Sequence, residues 1–219
     1  YEIVDISNNT INFNVPSENS SANRSACPGP SSSCPDCEYL FTNGDFDCGP
    51  YPGGSNRVHV SENAVDGWEV TQASYNKMSI CNSGYQGVTA VSGDWFNELN
   101  SANSNGNGNK LGKDIYQRVC TTPGTEISWS LYHRGRDGED TAVVKIGSDL
   151  SNMSVVRTMT TDNSGWVNYT GTYTIPYGQF DTYFMLEAVS TSSNKEGKGN
   201  FIDSVVISET NVGNGSCDP

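Results

Sequence analysis

The chain has 219 residues, with 12 basic and 25 acidic side chains and a formal net charge of −13. That balance excludes a protein that grips nucleic acid through its phosphates, and no apolar run approaches the roughly 18 residues of a membrane-spanning helix. With 34% hydrophobic, 10% aromatic and 17% charged residues, the chain reads as one folded domain with a thin core.

In chain order, residues 1–38 form an N-terminal extended arm followed by a Cys/Pro-rich hinge. Within the arm, Thr10 to Val15 alternates strictly and places Ile11, Phe13 and Val15 on one face of an extended strand, closed by Pro16. Such a strand, led by a Ser/Pro-rich tether, suits insertion into a neighbouring copy of the chain. The hinge carries Cys27, Cys34 and Cys37 between prolines and serines, where neither a helix nor a central strand can form. Cys34-Pro35-Asp36-Cys37 has redox-pair spacing but no strand and helix around it, so it reads as a staple.

Residues 39–208 read as short strands separated by Gly, Asn and Asp clusters, an all-β pattern. The clearest strand runs from Trp166 to Ile175. It sets Val167, Tyr169, Tyr173 and Ile175 on one face and Asn168, Thr170, Thr172 and Thr174 on the other. Ile127-Trp129-Leu131, Val144-Ile146, Phe184-Leu186-Ala188 and Phe201-Asp203-Val205-Ile207 alternate in the same way. The polar run 100–109 reads as an exposed loop, and residues 209–219 as a C-terminal tail.

Seven cysteines among Ser, Asn and Thr lack the spacing of a zinc site and indicate an oxidising, extracellular setting. The odd count leaves one free thiol. Cys81 and Cys120 are expected to pair across the domain, and Cys217 to pair with Cys27 or Cys48. Asn-x-Ser/Thr acceptors for N-glycosylation begin at Asn8, Asn19, Asn23, Asn152, Asn168 and Asn214. A chain opening at Tyr1 without a leader is expected to be the mature form of a secreted, cell-surface protein.

Three ordered stretches carry a resemblance: Asn43-Gly44-Asp45-Phe46-Asp47 with Gly67-Trp68, then Ile115 to Val119 with Pro123 to Ser130, then Phe201 to Ile207. Together they resemble the galactose-binding-like jelly-roll superfamily, which includes carbohydrate-binding modules of xylan- and glucan-degrading enzymes. The resemblance spans about residues 39–208 and implies a jelly-roll β-sandwich. It also implies a structural Ca2+ held by Asp47 and Asp203, with Asp45 or main-chain carbonyls completing the shell.

His133 to Asp140 concentrates charge at a turn, and reads as self-paired surface charge. In a binding protein, Arg134 and Arg136 would instead grip a carboxylate on a sugar or on a neighbouring subunit. Trp95, Trp166, Tyr85 and Tyr132 are the aromatics that would stack on sugars. No catalytic motif surrounds His59 or His133, and Glu98, Asp94 and Glu187 are acids that an acidic chain supplies by chance. The sequence thus favours a non-catalytic subunit of an extracellular filament, a helical homopolymer joined through Ile11, Phe13 and Val15. A calcium-stabilised carbohydrate-binding module is the alternative.

Overall fold

A computed structural model describes residues 41–51, 56–71, 76–99, 101–102, 110–111, 114–192 and 198–210. The arm with Ile11, Phe13 and Val15, the hinge cysteines, the acceptors at Asn8, Asn19, Asn23 and Asn214, and Cys217 lie outside the described residues.

The described residues form thirteen strands: β1 (Arg57–Ser61), β2 (Glu69–Val70), β3 (Lys77–Asn82), β4 (Trp95–Glu98), β5 (Ser101–Ala102), β6 (Lys110–Leu111), β7 (Asp114–Cys120), β8 (Glu126–Arg134), β9 (Asp140–Asp149), β10 (Asn152–Thr161), β11 (Val167–Thr174), β12 (Asp181–Ser190) and β13 (Phe201–Thr210). Two antiparallel sheets stack as a jelly-roll β-sandwich. Sheet A runs β1-β3-β4-β13-β8-β11 and sheet B runs β10-β9-β12-β7-β2. Short β5, inside the run read as loop, pairs as a ribbon with β6 just after it.

Alternation decides what lies between the sheets. Ile127, Trp129 and Leu131 from β8 meet Phe184, Leu186 and Ala188 from β12 and Val144 and Ile146 from β9 in one apolar core. Fully burying a side chain of this size contributes roughly 1.5–3 kcal/mol.

The opening motif locks the first turn onto that core. Asn43 Nδ2 donates to the carbonyls of Cys48 and Asp66, both at 3.0 Å, while its Oδ1 accepts the Cys48 N–H at 2.8 Å. The Asn43 carbonyl accepts the Trp68 indole N–H at 2.9 Å, and the Phe46 ring stacks on Trp68 at 5.2 Å. Gly44 is needed because a Cβ there would stand 1.8 Å from the Val205 carbonyl oxygen. The Val205 N–H in turn donates to the Gly44 carbonyl at 2.8 Å.

Two expectations are corrected here. Asp203 does not share a face with Val205 and Ile207: a bulge between Asp203 and Val206, with Ser204 at φ 50°, shifts the alternation. Phe201 and Asp203 face away from the main core, and Val205 and Ile207 face into it. Nor do Cys81 and Cys120 pair: Cys81 is a buried free thiol, while Cys48 and Cys120 are each in a disulfide of their own.

Candidate functional site

On the outer side of sheet A, Cys81, Phe96 and Phe201 form a second apolar cluster with Tyr85 and Val88 from the loop 83–94, and Ala90 and Trp166 pack against it. Trp166 donates its indole N–H to the Thr89 carbonyl at 2.8 Å. The acids read as calcium ligands hold this loop in place. Asp203 Oδ2 accepts the N–H groups of Val91 at 2.6 Å and Ser92 at 3.3 Å, and its Oδ1 accepts that of Ser204 at 2.6 Å. Asp47 Oδ1 accepts the N–H groups of Asp94 and Trp95, both at 3.0 Å, and Asp45 Oδ1 accepts that of Asp47 at 3.2 Å.

Burial pushes the Asp203 carboxyl up to about 7 against the opposing pull of its three N–H donors, and the Asp47 charge adds to the rise. Burial also raises Asp47. Each carboxylate directs most of its lone pairs at these N–H donors, so a Ca2+ beside them would draw most of its six to eight oxygens from elsewhere. Among the described residues no group of three His, Cys, Asp or Glu is placed to hold a metal ion. The acids fit a main-chain clamp.

The aromatics and arginines expected to meet a sugar are mostly engaged in packing. Trp95 lies in the main core, 5% exposed, with Tyr51 at 4.9 Å. Tyr85 is 8% exposed, between the guanidinium groups of Arg57 at 5.6 Å and Arg136 at 5.3 Å. Arg136 is not surface charge: its Nη1 reaches the fully buried Glu98 Oε1 at 2.6 Å, and Arg57 Nη1 reaches Glu98 Oε2 at 3.0 Å. Asp140 Oδ2 accepts the Arg136 N–H at 2.8 Å, completing a buried polar corner. Arg134 donates to the Asn163 carbonyl at 2.6 Å. Tyr132 stays half-buried on the outer face, paired in register with Asn168 and Asp203.

The two histidines sit in different surroundings. His133 is fully buried, with Nδ1 at 2.9 Å from Thr161 Oγ1 and Nε2 at 2.9 Å from Asn200 Oδ1. The Asn200 carbonyl oxygen can only accept, so Nε2 carries the proton. Burial lowers His133 to about 4, and burial beside Arg57 and Lys77 lowers His59 to about 4.

Sequence reasoning missed the outward face of sheet B. Because Phe184, Leu186 and Ala188 point into the core, Tyr183, Met185 and Glu187 point out. Tyr116 and Arg118 leave β7 on the same side. The Tyr116 and Tyr183 rings lie 5.9 Å apart, tilted by 35°. Tyr116 donates its hydroxyl to Glu69 Oε2 at 2.7 Å, and burial together with that acid raises its phenol well above the usual range.

Charges frame the pair. Arg118 meets Asp181 through Nε at 3.0 Å and Nη2 at 2.9 Å, and Lys145 pairs with Glu187. Across from Tyr183 on β9 stands Gly147, so its direct register partner brings no side chain to that flank. A Cβ at Gly147 would lie 2.0 Å from the Asn152 carbonyl oxygen, so the gap is built into the fold.

A scan against protein-family models and a search of curated proteins both find no match. A search of solved structures finds carbohydrate-binding modules. The CBM22-1 xylan-binding domain of Paenibacillus barcinonensis Xyn10C is similar at 12% identity over 66% of this chain and 86% of that one, with a TM-score of 0.44. The C-terminal family 22 carbohydrate-binding module of Clostridium thermocellum Xyn10B is similar at 17% identity over 72% of this chain and 97% of that one, with a TM-score of 0.46. A CBM4 structure is similar at 14% identity over 78% of this chain and all of the other, with a TM-score of 0.43. At these identities and scores, what this chain does has to come from its own side chains.

Proposed function

We propose that the protein is a secreted carbohydrate-binding module whose platform is the outward face of sheet B. The observation that carries the reading is Tyr183, half-buried on the outward face and backed by Tyr116, 8% exposed, on the adjacent strand, within a frame of ion pairs. An aromatic ring offers its face to the apolar C–H side of a sugar. Ion-paired side chains such as Arg118 with Asp181 and Lys145 with Glu187 are held in one geometry, ready to exchange hydrogen bonds with sugar hydroxyls. The chain's charge of −13 turns acidic polymers away, so the ligand class is a neutral polysaccharide. The role is recognition without bond cleavage.

The test is affinity electrophoresis and calorimetry against soluble xylan, β-glucan, mannan and galactan. Wild type is retarded by one of these, and Tyr183→Ala weakens binding about tenfold, or about 1.4 kcal/mol, with an unchanged melting temperature. Wild type migrating freely in all four, or Tyr183→Ala binding as wild type does, overturns the reading.

A further inference from the structure

Four strands bound the two sheets among the described residues, and three of them are blunted in recognised ways. β2 has two residues. β1 has five and carries Arg57 and His59. β10 has two register shifts and carries Arg157. β11 has none of these protections. It pairs with β8 in an unbroken eight-residue register from Val167 to Thr174 and contains no charged residue and no proline. A straight, neutral, long edge is a template for pairing with another chain.

That strand carries an acceptor sequence in its first half. Asn168 and Thr170 are both exposed, and because they are two residues apart they share the outward face. Beside them a furrow of about 340 Å³, lined by Ser128, Ser130, Thr170, Thr172, Val206 and Ser208, offers hydroxyls to the first sugars of a glycan. The acceptor at Asn152 differs, since its side-chain amide already donates to Ser148 Oγ at 3.1 Å. Cys48 and Cys120 are disulfide-bonded, the state proteins reach in the oxidising compartment where N-glycans are added.

We propose that Asn168 is an N-glycosylation site and that its glycan shields the β11 edge. The donor is an oligosaccharide linked to a polyisoprenyl diphosphate. The Asn168 Nδ2 forms a bond to the sugar C1 while the C1–O bond to the diphosphate breaks. The lipid diphosphate leaves with the electron pair, and one amide proton passes to a base of the transferase. Nothing is oxidised or reduced.

The experiment uses the full chain secreted from a eukaryotic cell line. Peptide mapping after peptide N-glycosidase digestion in 18O water is expected to convert Asn168 to 18O-labelled Asp in most molecules. Asn168 left unmodified overturns the proposal. The folded, glycosylated protein is then stripped with an endoglycosidase, which leaves one sugar on an intact Asn168 amide and adds no charge to the edge, and followed by light scattering at 0.5 M salt, where the charge of −13 is screened. Association at least tenfold faster than in the glycosylated protein is expected, and Thr172→Lys, which puts a charge on the same edge, restores the slow rate. Scattering unchanged by stripping overturns the shielding role while leaving the site.

Discussion

Replacing Asp203 by Asn tests the buried clamp, because it keeps the shape and removes the ionisation. The folded protein holds this carboxyl at about 7, against 3.8 for a free aspartate. A raised acid binds its proton more tightly folded than unfolded, so stability must fall as pH rises between these values. Its contribution is complete below about pH 4 and is lost as pH passes 7. Roughly three pH units at 1.36 kcal/mol each give about 4 kcal/mol across the window. The assay is urea denaturation of wild type and Asp203→Asn at half-unit steps from pH 4 to 8, reading the difference between the two midpoint energies. Wild type should lose ground relative to the variant steadily up to pH 7 and then level off. A difference that stays flat, or moves in wild type's favour with rising pH, would show that the Val91, Ser92 and Ser204 N–H groups outweigh burial, and would refute the reasoning.

Two more perturbations probe the other buried polar groups. His133, lowered by burial from 6.5 to about 4, acts in the opposite sense: it is neutral and stabilising above pH 6.5, and up to about 3 kcal/mol is lost as pH falls towards 4. Wild type should therefore weaken relative to His133→Gln between pH 6.5 and 4 in thermal melts, and parallel curves would count against it. Glu98→Gln leaves Arg57 and Arg136 without their shared carboxylate in a buried corner, and chemical denaturation should report a loss of about 3–5 kcal/mol. A loss under about 1 kcal/mol would mean that water reaches those guanidinium groups.

Strand positions were legible wherever alternation runs unbroken, as in β8, where Ile127, Trp129, Leu131 and His133 are buried in turn. The face of Asp203 was not, because a single residue in the left-handed region, Ser204, resets the period within β13. The partner of Arg136 was equally hidden. Glu98 reaches it from β4 across the fold, and nothing local to the turn at 133–140 announces a buried acid. The platform was half legible. The alternation that marks Phe184 and Leu186 as core also sends Tyr183 and Glu187 outward, but their approach to Tyr116 and Arg118 depends on the register between β7 and β12. That register follows from closing the sandwich as a whole.

The division of labour between the two sheets follows from where the aromatic rings go. On the outer side of sheet A, Phe96, Phe201, Tyr85 and Trp166 pack edge to face with one another, under a loop tied down by Asp47 and Asp203. Tyr85, Phe96 and Phe201 are buried in that packing, and Trp166 lies half-buried at its margin. Trp68, Trp95 and Trp129 are in the core. Sheet B has no loop clamped over it by buried acids among the described residues, and Tyr183 stands half-buried on its outward face beside Tyr116, whose hydroxyl is tied to Glu69. If aromatic stacking is how this protein recognises its ligand, the clamp on sheet A is what confines recognition to sheet B. Releasing the clamp should therefore lower stability without moving the binding face.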